Sequence, residues 1–195
     1  LLGPLTAGRE VIAVAGTHGK TTTTGMIAHL LARSGHAPGY IVGSTLPGLG
    51  ASALGSGPYF VIEADEYDDA FLGLHPSLIV LTNIDWDHPD CFPTAEAYES
   101  SFRKFVGNLR PRGHVVYCFD DSTLRALAAE AQGGQWHSYG SRSAAIWVAQ
   151  NIEIGQGRTT YDLRLPGGST QPVCVAVPGL HNALNSAAAL VAASL

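Results

Sequence analysis

The sequence carries little charge, and most of that charge is negative. Only 14% of the 195 residues are charged, and 11 Lys and Arg stand against 16 Asp and Glu, for a formal net charge of −5. Proteins that bind nucleic acid usually present a basic surface, so this balance argues against a DNA- or RNA-binding protein. An anionic ligand would have to be held locally, by backbone amides, a few cations or a metal ion.

Cysteine is also scarce. Cys91, Cys118 and Cys174 are odd in number and far apart, and no pair has the spacing of zinc ligands. We therefore predict reduced thiols in a cytoplasmic protein rather than a disulfide framework. Apolar runs long enough to cross a membrane are lacking too, so the sequence predicts no transmembrane helix.

The sequence does contain enough apolar material for one core, since 46% of its residues are hydrophobic. The chain opens without an initiator Met and stops inside a helical pattern. We therefore expect a single domain over residues 1–195, cut from a longer protein, with residues 1–9 as a linker.

Strand and helix patterns alternate from Val11 to Ala131, which predicts an α/β fold with a doubly wound, mostly parallel sheet. After Gly133 the strand-like segments are separated by Gly and Pro turns, which predicts a small antiparallel β extension in the C-terminal third. Gly43–Pro58 is rich in Gly, Ser and Pro and is predicted to be a loop, and Ser122 is predicted to cap a helix. The predicted strands are 11–15, 40–42, 59–63, 78–82, 114–119, 146–154, 159–165 and 173–177, and the predicted helices are 20–33, 95–109 and 122–131.

The segment "GTHGKTTTT" at 16–24 lies between a predicted buried strand and a predicted helix. Glycines at such a turn let several backbone N–H groups face one spot, and the helix N-terminus adds partial positive charge, so this is a predicted phosphate loop (P-loop). Lys20 would reach the β- and γ-phosphates, and the Thr21 hydroxyl could bind Mg²⁺. The predicted nucleotide-binding residues of the loop are Gly16, Thr17, His18, Gly19, Lys20, Thr21 and Thr22.

The usual spacing of a phosphate loop needs a glycine at position 14, where this chain has Val14. The shortened form resembles the Mur ligases. Three further segments resemble the central ATP-binding domain of that family, in the family's order: "EADEYD" at 63–68, "TNIDWDHPD" at 82–90 and "PGLHNALNSAAA" at 178–189. The motifs look most like the branch that joins L-alanine to UDP-N-acetylmuramate.

Glu63 and His88 fall just past the C-terminal ends of two predicted strands, at the edge where open α/β folds bind ligands. With Thr21 they could hold magnesium. From the residues alone His88 is more often a loop histidine, because Mg²⁺ prefers oxygen ligands; the resemblance supplies a metal-binding histidine at this position. Asp65 and Glu66 are rivals to Glu63, or parts of a solvated acidic loop. Asp87 would support the histidine.

Asn182 and Asn185 start the last predicted helix, where asparagine either contacts an adenine edge or caps the helix. The resemblance implies that His181, Asn182 and Asn185 line an adenine pocket. Several Mur ligases carry a carbamylated lysine about fifteen residues after the histidine. Here that position is Arg103, and the alanine-adding branch also lacks the lysine. The neighbouring Lys104 is predicted to lie on the polar face of its helix.

The resemblance implies an ATP-dependent, peptidoglycan-precursor ligase that works through an acyl phosphate, with ATP and Mg²⁺ as cofactors and Lys20, Glu63 and His88 as its catalytic residues. It also implies UDP-binding and C-terminal domains outside this chain, so the 195 residues alone are expected to be nearly inactive. Lys20 is expected to face solvent without a partner. Two alternatives stay open: a recycling ligase that attaches a tripeptide to the same UDP-sugar, and a non-catalytic ATP-binding regulatory module.

Overall fold

A computed structural model describes residues 3–46 and 48–195. Its helices are α1 (Gly3–Thr6), α2 (Lys20–Arg33), α3 (Ala95–Gly107), α4 (Ser122–Glu130) and α5 (Leu180–Ser194), and a 3₁₀ helix spans Tyr67–Gly73. Helices α2, α4 and α5 pack against the central sheet, and α3 packs against the 3₁₀ helix.

Ten strands form one sheet. The strands are β1 (Glu10–Ala15), β2 (Gly39–Leu46), β3 (Gly50–Ala53), β4 (Tyr59–Glu63), β5 (Leu78–Leu81), β6 (His114–Cys118), β7 (Gln135–Gly140), β8 (Trp147–Gly155), β9 (Arg158–Arg164) and β10 (Thr170–Val175). Their order across the sheet is β10-β9-β8-β7-β6-β5-β1-β4-β2-β3. In that order all neighbours between β8 and β2 are parallel, whereas β3 at one edge and β9 and β10 at the other are antiparallel.

The core lies on both faces of the central strands. Every residue from Val11 to Ala15 and from Leu78 to Leu81 is buried, as expected of parallel strands covered by helices on both sides. Helices α2 and α5 pack against each other, and α5 also contacts strands β5 to β10. The aromatic face of α3 (Tyr98, Phe102 and Phe105) is fully buried. This core fixes the carboxyl ends of the parallel strands at one edge of the sheet.

The predicted α/β class, the mostly parallel sheet and the antiparallel extension in the C-terminal third are confirmed. The predicted loop at 43–58 is wrong in part, because β2 runs on to Leu46 and β3 pairs antiparallel with it. Pro47 lies outside the described residues. The low strand propensity of Gly and Ser is overridden by edge pairing and by a hydrogen bond from the Tyr40 hydroxyl to the Leu49 carbonyl.

Two further predictions differ from the structure. Strand β7 has the polar sequence Gln-Trp-His-Ser and shows no apolar run, yet it pairs in parallel with β6 and connects the parallel strands to the antiparallel extension. Helix α4 is capped by Asp121 rather than Ser122, since the Leu124 amide donates to Asp121 Oδ1 at 2.8 Å.

The predicted linker at 1–9 contains α1, and its residues 1 and 2 lie outside the described residues. Within the part of the chain that the structure describes, no helix combines the length and the apolar character needed to span a membrane.

Candidate functional site

The segment after β1 is a tight turn that leads directly into α2. Gly16 has φ +135° and Gly19 has φ +84°, both in the region that favours glycine. A Cβ at Gly16 would overlap the Thr82 hydroxyl, and a Cβ at Gly19 would lie 2.6 Å from Asn185 Oδ1. The two glycines therefore allow the loop to pack against the segment after β5 and against α5.

The loop is tied to the residues that follow β5. The Thr17 amide donates to the Asn83 carbonyl at 3.1 Å and the His18 amide to Asn83 Oδ1 at 2.8 Å. The Thr82 hydroxyl donates to the His18 carbonyl at 2.6 Å. Sequence reasoning missed Thr82 and Asn83 as loop-holding residues, although both belong to the "TNIDWDHPD" segment that was singled out for its histidine.

These contacts decide which amides remain for a phosphate. Asn83 already occupies the N–H groups of Thr17 and His18. The first helical hydrogen bond of α2 runs from the Thr23 amide to the Gly19 carbonyl at 2.9 Å. The amides of residues 20–22 precede that bond at the positive end of the helix, so they form the surface that an anion would meet.

Lys20 has partners, contrary to its predicted free position. Its ammonium group donates to the Gly16 carbonyl at 2.7 Å, to Glu66 Oε1 at 2.9 Å and to the Thr17 carbonyl at 3.3 Å. Its side chain is 15% exposed and that of Glu66 only 1%. The idea of a solvated acidic loop is therefore wrong for Glu66, whereas the neighbouring Asp65 is exposed.

Thr21 and Glu63 face each other beside the loop. The Thr21 hydroxyl donates to Glu63 Oε1 at 2.7 Å, and the Gly43 amide donates to Glu63 Oε2 at 2.6 Å. The carboxylate thus stands at the end of β4, next to the first turn of α2. A hydroxyl and a carboxylate in contact provide two of the oxygen ligands that Mg²⁺ prefers.

His88 lies beside two carboxylates, those of Glu66 and of its neighbour Asp87. Its Nε2 is 3.9 Å from Glu66 Oε1 and 3.9 Å from Asp87 Oδ2. Its backbone is left-handed, with φ +55°, and its amide donates to Asp87 Oδ1 at 2.7 Å. A left-handed histidine is uncommon and such conformations cluster at functional sites, which supports a constrained role for this side chain.

Tyr98 is a site residue that the sequence indicated only as part of a buried helix face. Its hydroxyl donates to Glu66 Oε1 at 3.1 Å and lies 3.1 Å from the Thr17 hydroxyl. Burial raises the pKa of Tyr98 well above its ordinary value, and the Glu66 carboxylate adds to the effect. The phenol therefore stays protonated and links α3 to both the loop and Glu66.

His181 and Asn185 lie on the other side of the loop, in the first turns of α5. They help to line a cavity of about 240 Å³ beside the ends of β5, β6 and β7. Asn182 is not among the lining residues, because its Nδ2 donates to the Pro178 carbonyl at 2.8 Å. The lining residues are Thr82, Asn83, Cys118, Asp120, Asp121, Tyr139, His181, Leu184 and Asn185.

The remaining candidates lie away from the loop. Arg103 pairs with Glu99 at 3.4 Å and with Glu130 at 3.3 Å, and Lys104 is exposed on α3 as predicted. Among residues 3–46 and 48–195, no group of three or more His, Cys, Asp or Glu side chains is arranged to hold a metal ion. A metal bound beside Thr21 would need oxygens from a hydroxyl, water or phosphate as well as from these side chains.

A glycine turn of the phosphate-loop kind after β1, with acidic and histidine segments at the ends of neighbouring strands, is typical of nucleotide-dependent α/β enzymes. The sequence matches the Mur ligase middle domain over residues 14–193. The chain therefore belongs to the Mur ligase family, as the order of its motifs predicted.

Curated relatives indicate the branch. The UDP-N-acetylmuramate–L-alanine ligase of Chloroflexus aggregans is 40% identical over 207 residues, covering 97% of this chain and 44% of that enzyme. The ligase of the same name from Renibacterium salmoninarum is 44% identical over 187 residues, covering 94% of this chain and 40% of that enzyme. This chain thus spans less than half the length of these relatives.

Solved structures share the fold. The UDP-N-acetylmuramate:L-alanyl-gamma-D-glutamyl-meso-diaminopimelate ligase of Neisseria meningitides gives a TM-score of 0.84 at 29% identity, covering 99% of this chain and 64% of that one. The UDP-N-acetylmuramate-alanine ligase of Thermotoga maritima gives a TM-score of 0.81 at 27% identity, covering 94% and 41%.

Proposed function

We propose that this chain is the nucleotide-binding middle domain of an ATP-dependent ligase that joins L-alanine to UDP-N-acetylmuramate. One observation carries the proposal. A phosphate loop with Lys20 stands beside the Thr21–Glu63 pair, in a chain whose curated relatives bear the name of that ligase. The whole enzyme would also have a UDP-binding domain and a C-terminal domain, and would make a peptidoglycan precursor in the bacterial cytoplasm.

The proposed reaction has two steps. A carboxylate oxygen of UDP-N-acetylmuramate attacks the γ-phosphorus of ATP, the bond to the β,γ-bridging oxygen breaks, and an acyl phosphate and ADP form. The amino group of L-alanine then attacks the acyl carbon, loses a proton, and expels inorganic phosphate. The main obstacle is repulsion between the carboxylate and the triphosphate. Lys20 and the amides of residues 20–22 would offset that repulsion and stabilise charge in the transition state.

Thr21, Glu63 and His88 are the proposed magnesium ligands. The contact between the Thr21 hydroxyl and Glu63 Oε1 fits a small, oxygen-preferring ion, and His88 Nε2 lies 3.9 Å from Glu66, the carboxylate that also contacts Lys20 of the loop. Magnesium would neutralise phosphate charge and align the attacking and leaving oxygens. Asp87 would hold the His88 backbone through the 2.7 Å hydrogen bond that the His88 amide donates to Asp87 Oδ1.

The metal assignment gives a first prediction. Glu63→Ala and His88→Ala should each raise the Mg²⁺ concentration that half-maximal ligation needs by about tenfold or more, because each removes a ligand. Titration of Mg²⁺ at saturating ATP in the full-length protein measures this. Asp65→Ala, in the exposed neighbour, should leave the requirement unchanged. A raised requirement in Glu66→Ala together with a normal one in Glu63→Ala would move the ligand to Glu66.

The cavity beside the loop is the proposed place for adenine, with His181 and Asn185 among its lining residues and Asn182 in the same first turn of α5. Asn185 closes the cavity next to Gly19, so a base there would be continuous with phosphates on the loop. The amide groups of asparagine can both donate to and accept from an adenine edge.

Asn182→Ala separates adenine contact from local structure. We expect ATP–Mg²⁺ affinity in the full-length protein to fall about tenfold, a change of about 1.4 kcal/mol. We also expect the free energy of unfolding to fall by about 1 kcal/mol, because the hydrogen bond to the Pro178 carbonyl is lost. Calorimetric titration and denaturant unfolding measure the two effects. Lower stability with unchanged ATP affinity would limit Asn182 to holding the turn before α5.

The recycling ligase that attaches a tripeptide to UDP-N-acetylmuramate is a second candidate. The Neisseria meningitides ligase, whose name includes the tripeptide, has a TM-score of 0.84 with this chain. The two candidates share a UDP-sugar and ATP, so the fold of this domain does not separate them.

Product analysis of the full-length protein tests the proposal. The protein is incubated with UDP-N-acetylmuramate, ATP and Mg²⁺, together with either L-alanine or the tripeptide L-alanyl-γ-D-glutamyl-meso-diaminopimelate. The products are then identified by mass spectrometry. We expect ligation of L-alanine and stoichiometric release of ADP and phosphate. Ligation of the tripeptide alone would favour the recycling enzyme, and ATP binding without either product would favour a regulatory module.

A further inference from the structure

Glu66 is a buried carboxylate that the proposed mechanism does not use. It is 1% exposed, and it is surrounded by Lys20, Tyr98 and His88. A buried carboxylate needs partners, since removal from water disfavours its charge. Its strongest partner is the ammonium group of Lys20, at 2.9 Å from each carboxylate oxygen.

The Lys20 ammonium group uses all of its N–H donors. It carries three protons, and the structure gives it three acceptors: the Gly16 carbonyl, the Thr17 carbonyl and Glu66. A phosphate that reaches Lys20 therefore has to replace one of them. The two carbonyls belong to the loop that binds the phosphate, whereas Glu66 is itself an anion and competes for the same charge.

We propose that Glu66 is a positioning residue that competes with the nucleotide's β-phosphate for the ammonium group of Lys20. The inference rests on the proposed nucleotide site. In the structure Glu66 holds the Lys20 ammonium group over the loop. The second hydrogen bond of Glu66, from the protonated Tyr98, gives its carboxylate a partner that remains when Lys20 turns to the phosphate.

Competition from Glu66 for the Lys20 ammonium group lowers the affinity for nucleotide below the value that the same loop would have without that carboxylate. If the Lys20 ammonium is free of Glu66 in about a tenth of molecules, the apparent Kd is about tenfold higher than the intrinsic value. Glu66→Gln keeps the shape of the side chain and removes its charge. We expect this change to raise the affinity for ADP about tenfold, and to leave the affinity for AMP, which has no β-phosphate, unchanged.

The test is calorimetric titration of ADP and AMP into the full-length protein with EDTA present, so that no metal ligand is involved. Asp68→Asn is the matched control. It removes one charge from the exposed start of the 3₁₀ helix that follows Glu66, and asparagine tolerates the left-handed backbone of Asp68, φ +51°. We expect its ADP affinity to match that of the unmodified protein.

A double-mutant cycle decides whether Glu66 acts through Lys20. In a Lys20→Met background, Glu66→Gln should no longer raise ADP affinity. An equal rise in both backgrounds would mean simple charge repulsion and would overturn the proposal. So would an unchanged or weaker ADP affinity in Glu66→Gln.

A second variant covers the case in which Glu66→Gln does not fold. Glu66→Asp keeps the charge but withdraws it from Lys20 by one methylene, so we expect ADP affinity to rise about threefold. No rise would overturn the proposal. Failure of the unmodified protein to bind ADP would instead contradict the proposed function.

Discussion

Lys20→Ala is expected to slow ligation by the full-length protein about 10²–10³-fold, because it removes the cation that we propose stabilises charge in the transition state. The KM for UDP-N-acetylmuramate should change far less than kcat, since Lys20 would contact ATP and not the sugar. Steady-state ligation rates at saturating ATP measure the loss. Turnover close to that of the unmodified enzyme would contradict the role of Lys20 at the phosphates.

The same substitution should also destabilise the fold, which the sequence did not indicate. Removing Lys20 leaves Glu66 buried without its cation, and breaking a buried pair in this way costs about 3 kcal/mol. The double change Lys20→Ala with Glu66→Gln removes the orphaned charge. It should recover most of the free energy of unfolding in denaturant titrations and leave ligation as slow as in Lys20→Ala. Recovery of ligation along with stability would mean that Lys20 serves the fold alone.

Gly16→Ala is expected to abolish measurable ATP binding by the full-length protein and to lower its stability by about 2 kcal/mol. The backbone at φ +135° disfavours any L side chain, and the added methyl group would overlap the Thr82 hydroxyl. The loop would have to move away from the segment after β5, and the amides that face a phosphate would move with it. Calorimetric titration and thermal unfolding measure both effects.

Gly107→Ala is the matched control for that experiment. Gly107 ends α3, has no positive φ, and has open space where a Cβ would stand. Alanine there should leave ATP affinity unchanged and slightly increase the free energy of unfolding. Normal ATP binding by Gly16→Ala would show that the loop does not depend on its packing against Thr82.

The parts of the fold that were predictable are those in which local pattern and tertiary structure agree. Helix α2 begins at Lys20 and ends at Arg33 as predicted, because a glycine precedes it and Gly35 follows it. Strand β4 also has its predicted bounds, since an apolar run suits burial on both faces. Strand β7 was missed because its position depends on pairing with β6, which its polar sequence does not reveal.

The sequence indicated candidate residues for the site but not the contacts between them. The pairing of Thr21 with Glu63 followed from two motifs that end neighbouring strands. The burial of Glu66 did not, because Tyr98, which comes from a helix 32 positions further along the chain, covers it. For the same reason the apolar spacing of α3 indicated packing for Tyr98 and gave no sign of its hydroxyl's role.

The ties from Thr82 and Asn83 to the phosphate loop bear on the entropy of ligand binding. Ordering one residue of a free loop costs about 1–2 kcal/mol of conformational entropy, and a glycine-rich turn has more freedom to lose than most. Here that freedom is lost when the chain folds, since the protein itself supplies the hydrogen-bond partners of Thr17 and His18. Under the proposed function an arriving nucleotide would meet a turn that is already ordered, and less of its binding enthalpy would be cancelled by ordering the protein.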